Sequence, residues 1–591
     1  MLKIVLMCGG SGGKALQEGF ASVFGYGNYQ LDAIINAYDD GKSTGVCRDI
    51  FNRNILGPSD LRKNQITQYK LKYAKEIKDS NSKEHKLLEL FELRLSGENH
   101  DSYYNQALSI INDIDYLTPE QKDGLLNWLD YFFYADKQNN VLRKGIDKVS
   151  FNDFSLSNIF YASCAAINNN SLEKAGEVMS KLFSMENNVH LISNVNLYIN
   201  ATTTSGYVIT DEGQLVAWNN SDDKVVKVDL VKNDGSVYVP TINENSNDDI
   251  QKLFNEADIL ILSSGTQWSS LIPSYMHKGF KEALSSCKAK KYLIMNNAQD
   301  ADAKGVSANE LLGIINKYID LSDIKVVIND NACETMNKID DSYTQIHGII
   351  SEKDDKKHNP EALIKLIMND YYELSNRDNY RLLSDLDGTL WNDKLEKKDI
   401  CIKNFELFKG IILSGNNYKH VYEIVKDNYK MNDYVYCNYG NTYFKLDNPS
   451  EDNVLTKDYL IEDDILDELK KNDEFKDKLT LRGQAILTIR PLQDRPEKLK
   501  IINNIIEKIG NRYQAVVAGN TTIDIMKKDF SKATTFKIIA KRENLNDYEI
   551  IYLGDEYIGG NDTCMLNLNI KNIPVNDVYD TYAFLKVFYD C

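Results

Sequence analysis

Short apolar runs alternate with longer amphipathic stretches from the first residues of the chain. Lys3–Met7 is followed by helical spacing from Lys14 to Phe24, and then by Leu31–Tyr38, which runs into Asp39-Asp40. A short apolar run reads as a buried strand and a 3.6-residue period as a helix packed on it, so the opening is predicted to be a βαβ unit. From about Ile66 to Tyr134 only helical spacing is visible, with Leu87, Leu88, Phe91, Leu93 and Leu95 in one apolar cluster. This predicts a helical insert over about residues 66–185. Strand-like segments return at Val189–Thr210, Asp258–Leu262, Lys291–Met295 and Lys325–Ile328, interleaved with helical stretches at Leu271–Ser286 and Ala308–Tyr318. Such alternation predicts an α/β domain built on a mostly parallel sheet. A polar segment, Ser351–Pro360, and one more helix lead into a strand at Tyr380–Ser384. The boundary is placed near residue 375, giving domains 1–375 and 376–591, each long enough for its own core.

Composition narrows the classes of function. With 42% hydrophobic, 10% aromatic and 26% charged residues, the 591-residue chain is a globular protein and not a disordered one. Its formal charge of -18, from 69 basic and 87 acidic residues, opposes a phosphate backbone, so nucleic acid is not expected as a partner. Nine cysteines without a C-x-x-C pair and seven dispersed histidines suggest neither a disulfide framework nor a zinc site, and they fit a reducing cytoplasm. The apolar run Ile4–Cys8 is too short for a secretory segment, and nothing approaches a membrane span, so no membrane partner is expected.

The sharpest chemical signal is Leu383-Ser384-Asp385-Leu386-Asp387-Gly388-Thr389 at the end of a predicted strand. Two carboxylates at i, i+2 point the same way, and the glycine lets backbone N–H groups turn toward an anion. Further along, Ile411–Ser414 ends a second strand in a hydroxyl, and Lys532 precedes a helix. Ile550–Gly554 is a third strand, closed by Asp555-Glu556 and Gly559-Gly560-Asn561-Asp562. In this order the four segments resemble the haloacid dehalogenase superfamily of phosphohydrolases and phosphomutases. The resemblance implies Asp385 as a nucleophile that becomes an aspartyl phosphate, and Asp387 as general acid and base. It implies Ser414 and Lys532 as ligands of the phosphoryl oxygens. Asp385, Asp387, Asp555 and Asp562, with Glu556 as the alternative to Asp562, would hold Mg²⁺.

The hundred-odd residues between Ser414 and Lys532 look like the α/β cap of that superfamily, placed at about 442–526. Tyr436–Asn441, Thr488-Ile489-Arg490-Pro491 and Gly519–Asp524 resemble the phosphomannomutase and sucrose-phosphatase branch. Gly415, Asn416, Asn438, Arg490 and Arg495 are the residues that this likeness brings to the substrate, the two arginines as a clamp for a second anionic group or a sugar. That branch often has arginine after the second motif, where this chain has Gly415-Asn416.

In the first half, Cys8-Gly9-Gly10-Ser11-Gly12-Gly13-Lys14 joins a strand to a helix, and such a loop can cradle a phosphate on the helix N-terminus. Asn36–Gly45 carries Asp39-Asp40, Gly57–Asn64 carries Asp60, Arg62 and Asn64, and Ser263–Pro273 forms a later hydroxyl-rich loop. Together these pieces resemble the family uniting 2-phospho-L-lactate transferase with the YvcK-like gluconeogenesis factors. The first loop reads GGSGG where that family favours GGGTG, and the later loop lacks its first glycine. The resemblance implies that Gly10, Ser11 and Gly12 face a diphosphate and that Asp39 and Asp40 hold Mg²⁺ or a ribose. Asp60, Arg62 and Asn64 would complete the site, with Ser264, Thr266 and Ser270 approaching from the later loop.

The expected fold is α/β throughout: a Rossmann-like domain with a helical insert, then a haloacid-dehalogenase-like Rossmannoid domain with an α/β cap. The expected function is a two-module enzyme. A module binding a nucleoside diphosphate or nucleotide sugar, with phospho-group transfer as its own chemistry, precedes a Mg²⁺-dependent phosphatase acting on a small sugar-phosphate-like ester. The alternatives are a non-catalytic UDP-sugar sensor in the first module and a phosphomutase in the second. Homodimerisation is left open.

Overall fold

The computed structural model describes all residues except 11, 98, 115, 353–354, 375–378, 393–409, 427–433, 451, 519–520, 556–560 and 591. The chain divides into two compact units, Leu2–Tyr371 and Tyr372–Cys591.

The first unit is organised by a seven-stranded sheet in the spatial order Gln345–Gly348, Lys325–Asn329, Lys290–Ile294, Ile259–Leu262, Leu2–Met7, Tyr29–Ile35, Val189–Leu191. Every adjacent pair is parallel. Strands covered on both faces need apolar side chains on both, and Ile259–Leu262 is buried at all its positions. The helix Lys14–Phe24 buries Leu16, Phe20, Val23 and Phe24, and the Phe20 and Phe24 rings meet Tyr29 at the start of the neighbouring strand. The first strand lies between Tyr29–Ile35 and Ile259–Leu262, so the chain leaves it in one direction and later returns on its other side. This is a topological switch point, where loops at the carboxyl ends of the strands open a crevice.

Helices fill most of the segment between Ile35 and Val189, including Ser59–Lys72, Lys83–Glu92, His100–Asp113, Pro119–Phe133, Leu156–Ile167 and Leu172–Leu182. Two small ladders interrupt them, Arg94–Leu95 with Phe154–Ser155 and Tyr134–Asp136 with Val141–Leu142. Paired segments of two or three residues are too short to leave an alternating pattern in sequence. The strands Tyr198–Thr203, Val208–Ile209 and Val225–Val231 form a separate antiparallel sheet and do not extend the parallel one.

The second unit has a four-stranded parallel sheet in the order Ile411–Ile412, Tyr380–Ser384, Glu549–Gly554, Lys571–Pro574. Between its second and third sequential strands the chain builds an antiparallel cap sheet from Leu479–Arg482, Ile486–Ile489, Thr522–Lys527 and Tyr513–Ala518. The helices Asp463–Lys470 and Arg495–Lys508 share with it a separate core that includes Leu469, Phe475, Leu487, Ile489, Ile502 and Ile525. Among the described residues no helix is long and apolar enough to cross a membrane.

Candidate functional site

In the second unit, Tyr380–Ser384 ends beside Glu549–Gly554, which brings the loops after both strands together. The Asp385 N–H donates to the Leu553 carbonyl at 3.0 Å, fixing the carboxylate at the sheet edge. Its Oδ1 accepts the Leu386 N–H at 2.7 Å, and its Oδ2 lies 2.7 Å from the Lys532 ammonium. That ammonium is fully buried at the start of the helix Lys532–Arg542 and also lies 2.8 Å from Asp562 Oδ1. Burial pushes the Asp385 carboxyl up to about 7, against the downward pull of the Lys532 charge. For Lys532 burial acts downward, but the two carboxylates outweigh it and hold the ammonium in its charged form.

One carboxylate oxygen from each of Asp385, Asp555 and Asp562 lies within 4.8 Å of the others. Three hard oxygen donors with one cationic neighbour fit a magnesium ion in donor type and charge. Asp555 is oriented by the Thr389 hydroxyl at 2.9 Å. Gly388 has φ +78, and a Cβ there would sit 2.2 Å from Asp555 Oδ2, so a side chain at this position would be strained and would push the Asp555 carboxylate aside.

The carboxylate of Asp387 stands outside this acidic cluster. Its Oδ2 accepts from Asn416 Nδ2 at 2.8 Å, and its Oδ1 is 2.7 Å from His420 Nε2. Ser414 is buried, and its hydroxyl accepts the Asn416 N–H at 3.0 Å. Glu556, Gly559 and Gly560 lie outside the described residues.

Asp385, Asp387 and Asp555 open into a cavity of about 1040 Å³ walled by the core and cap sheets. Of the residues read as substrate contacts, Gly415, Asn416 and Arg490 line it, and Asn438 and Arg495 do not. Asn438 has φ +50 and donates to the Thr442 hydroxyl and, through its backbone, to the Asn416 carbonyl, so it shapes the turn behind the wall. Arg495 begins the helix Arg495–Lys508, where proline at the next position and solvent on the first turn suit a long polar side chain. The cavity wall also carries a group that sequence reasoning passed over. Arg482 donates from Nε to Thr488 Oγ1 at 2.7 Å and pairs through Nη2 with Asp524, while Thr488 donates to Asp524 at 2.7 Å.

In the first unit, three loops meet at the switch point. A Cβ on Gly12 would lie 2.0 Å from the Ser264 carbonyl, so the glycine loop and the later hydroxyl-rich loop are in backbone contact. Thr266 and Ser270 are joined through their hydroxyls at 2.8 Å. Asp60 lies against Gly10, whose N–H it accepts, and pairs with Lys63 at 3.4 Å. Asn64 is buried, donating to the Gly9 carbonyl at 3.2 Å and accepting from Gln17 at 2.7 Å, so it braces the loop. Ser11 lies outside the described residues.

Arg62 corrects the sequence reading, because its guanidinium donates to Ser155 and Ser157 inside the helical insert and turns away from the glycine loop. Asp39 accepts the Gly41 N–H at 2.8 Å, and Asp40 accepts the Glu212 N–H at 3.0 Å. Arg48, fully buried and unnoticed in sequence, holds this turn through the carbonyls of Tyr38 and Asp39 and reaches Asn196 and Leu197 on its other side. Burial and the neighbouring Asp39 push the Glu212 carboxyl up to about 9, and burial also raises Asp40 and Asp60. Glu212 therefore joins the predicted aspartates in one electronegative group.

Residues 4–370 match the family model for 2-phospho-L-lactate transferase CofD, and residues 400–571 match that of haloacid dehalogenase-like hydrolase. A putative gluconeogenesis factor of Aquifex aeolicus is 22% identical over 331 residues, covering 55% of this chain and 77% of that protein. Among solved structures, a protein of the UPF0052 family from Bacillus halodurans aligns with TM-score 0.41 and 16% identity, over 62% of this chain and 99% of its own. The sucrose-phosphatase of Synechocystis aligns with TM-score 0.27 and 15% identity, over 34% of this chain and 84% of its own. With more than half of its length matched by the first model, the chain belongs to the 2-phospho-L-lactate transferase CofD family and carries a haloacid dehalogenase-like hydrolase module behind it.

Proposed function

We propose that the second module is a magnesium-dependent phosphatase of a small sugar-phosphate-like ester, and that the first binds a nucleoside diphosphate or nucleotide sugar. The observation that carries the phosphatase reading is the meeting of Asp385, Asp555 and Asp562 around buried Lys532 at the mouth of a polar cavity. Asp385, Asp555 and Asp562 would hold Mg²⁺, which when bound supplies positive charge to the phosphoryl oxygens.

A carboxylate and a phosphate dianion repel, and Lys532 offsets that repulsion from within the protein. Asp385 attacks phosphorus, the bond from phosphorus to the ester oxygen breaks, and Asp387 gives that oxygen its proton. Water then attacks the aspartyl phosphate, its proton passes to Asp387, and phosphate leaves with Asp385 restored. The cap decides which esters enter, with Arg490 and the Arg482–Asp524–Thr488 group facing the non-reacting part of the substrate. In the first module, Asp39 and Asp40 would hold Mg²⁺ or a ribose beside the diphosphate at the glycine loop, with Asp60 against that loop.

The test is phosphate release from a panel of sugar phosphates with Mg²⁺, with and without nucleotide sugars, in the native chain and in Asp385→Asn. Release that disappears in the variant supports the reading. Equal release, or none from either protein, refutes it. A nucleotide sugar that changes the rate but is recovered intact would favour a sensor role for the first module over transfer.

A further inference from the structure

Asp387 is gripped at both carboxyl oxygens by side chains on one short stretch of chain, Asn416 at Oδ2 and His420 at Oδ1. The stretch itself is rigidly set. Asn416 donates its N–H to the Ser414 hydroxyl, Asn417 caps the helix Tyr418–Val425 by accepting the His420 N–H at 2.9 Å, and Trp391 meets the His420 ring edge-on at 6.0 Å. The two partners differ in chemistry. Asn416 Nδ2 can only donate, whereas an imidazole nitrogen donates as N–H or accepts through its lone pair, according to tautomer.

We infer that His420 is a positioning residue for Asp387, fixing together with Asn416 the orientation in which the general acid meets the leaving oxygen. This rests on the phosphatase reading above. Two contacts, one on each carboxyl oxygen, fix the rotation of the Asp387 carboxyl about its Cβ–Cγ bond. His420 lies outside the group Asp385, Asp555 and Asp562 and reaches the site through Asp387.

The test uses leaving groups of different basicity in the native chain, with kcat/KM as the readout because it covers only steps up to alcohol release. His420→Phe keeps the ring against Trp391 and removes both nitrogens, while His420→Gln keeps an amide able to donate and accept. For a sugar phosphate, whose alkoxide needs a proton, His420→Phe is expected to lower kcat/KM about 10- to 100-fold. For 4-nitrophenyl phosphate, whose phenolate leaves without one, the fall should stay within about threefold. His420→Gln should recover most of the alkyl activity, and Asp387→Asn should show the same selectivity more strongly. Equal losses on both esters, or no loss on either, would overturn the inference. If the native protein hydrolyses neither ester in an Asp385-dependent way, the phosphatase reading itself falls, and the inference falls with it.

Discussion

Replacing Lys532 with methionine isolates the electrostatics on which the second module depends. Lys532 is wholly buried, 2.7 Å from Asp385 and 2.8 Å from Asp562, and methionine fills nearly the same volume without charge. Removing one member of a buried ion pair leaves an uncompensated charge, at a cost of about 3–5 kcal/mol. The cost must depend on pH, and its sign follows from Asp385. That carboxyl has a folded-state value near 7, above the ordinary 3.8, so the folded protein keeps this proton longer than the unfolded chain does. Stability from this group is complete below about 4 and is lost as pH rises toward 7. In the variant the window extends further upward, because no ammonium opposes it.

The penalty should therefore be about 3–5 kcal/mol at pH 8 and under about 2 kcal/mol at pH 5, where Asp385 is protonated with or without the lysine. Hydrogen exchange of the strands Tyr380–Ser384 and Glu549–Gly554 in the full chain, without divalent cation, reads the local opening free energy directly. Adding Mg²⁺ should restore part of the loss at pH 8, since an ion among Asp385, Asp555 and Asp562 replaces the missing charge. A penalty below about 1 kcal/mol at pH 8, or one that is larger at pH 5 than at pH 8, would refute the electrostatic account.

Three further outcomes are expected. Titration calorimetry should find Mg²⁺ bound more weakly below pH 7, approaching tenfold per unit as a proton competes at Asp385, and an affinity flat from pH 8 to 6 would count against that ligand. Gly388→Ala should lose Mg²⁺ binding and more than about 1 kcal/mol of local stability, because the turn has φ +78 and its Cβ would strike Asp555; wild-type affinity would show that the loop can rearrange freely. Glu212→Gln should already stabilise the protein at pH 7 in denaturant titrations, because the unfolded glutamate is ionised there while burial and Asp39 keep the folded carboxyl protonated up to about 9. Stability from Glu212 is lost progressively as pH rises from about 4.5 to 9, so the advantage of the glutamine variant should grow over that range and level off above it; a variant less stable than the native chain at pH 7 would mean that Glu212 is ionised in the folded protein.

The parallel sheets were legible in sequence because strands covered on both faces must be apolar at successive positions, as in Ile259–Leu262. Tyr198–Thr203 and Val225–Val231 carry equally strand-like residues, but nothing in their pattern says which sheet they join. Pairing partners are a tertiary fact, and these two pair with each other. The phosphatase motifs were legible for a similar reason: a strand end fixes where its next residues point, so Asp385 and Asp555 could be placed from the chain alone, together with Lys532 at a helix start.

Helix faces explain where the motif reading failed. Asp60 and Asn64 are four residues apart on Ser59–Lys72 and share the face that meets the glycine loop, whereas Arg62, two residues from each, projects about 200° around the axis. Its contacts with Ser155 and Ser157 follow from that rotation, and a motif read as a string of neighbours conceals it. The same geometry hid His420. It follows Asn416 by four residues across the start of a helix, so both side chains can reach Asp387, yet no residue type at that spacing announces such a contact. Thr488 and Asp524 were each noticed in sequence, but only the register Thr488↔Asp524 makes them one group with Arg482. Motifs thus locate groups that chemistry holds at strand ends. The residues that orient those groups reach them across helix faces and sheet registers, and it is these that the fold has to reveal.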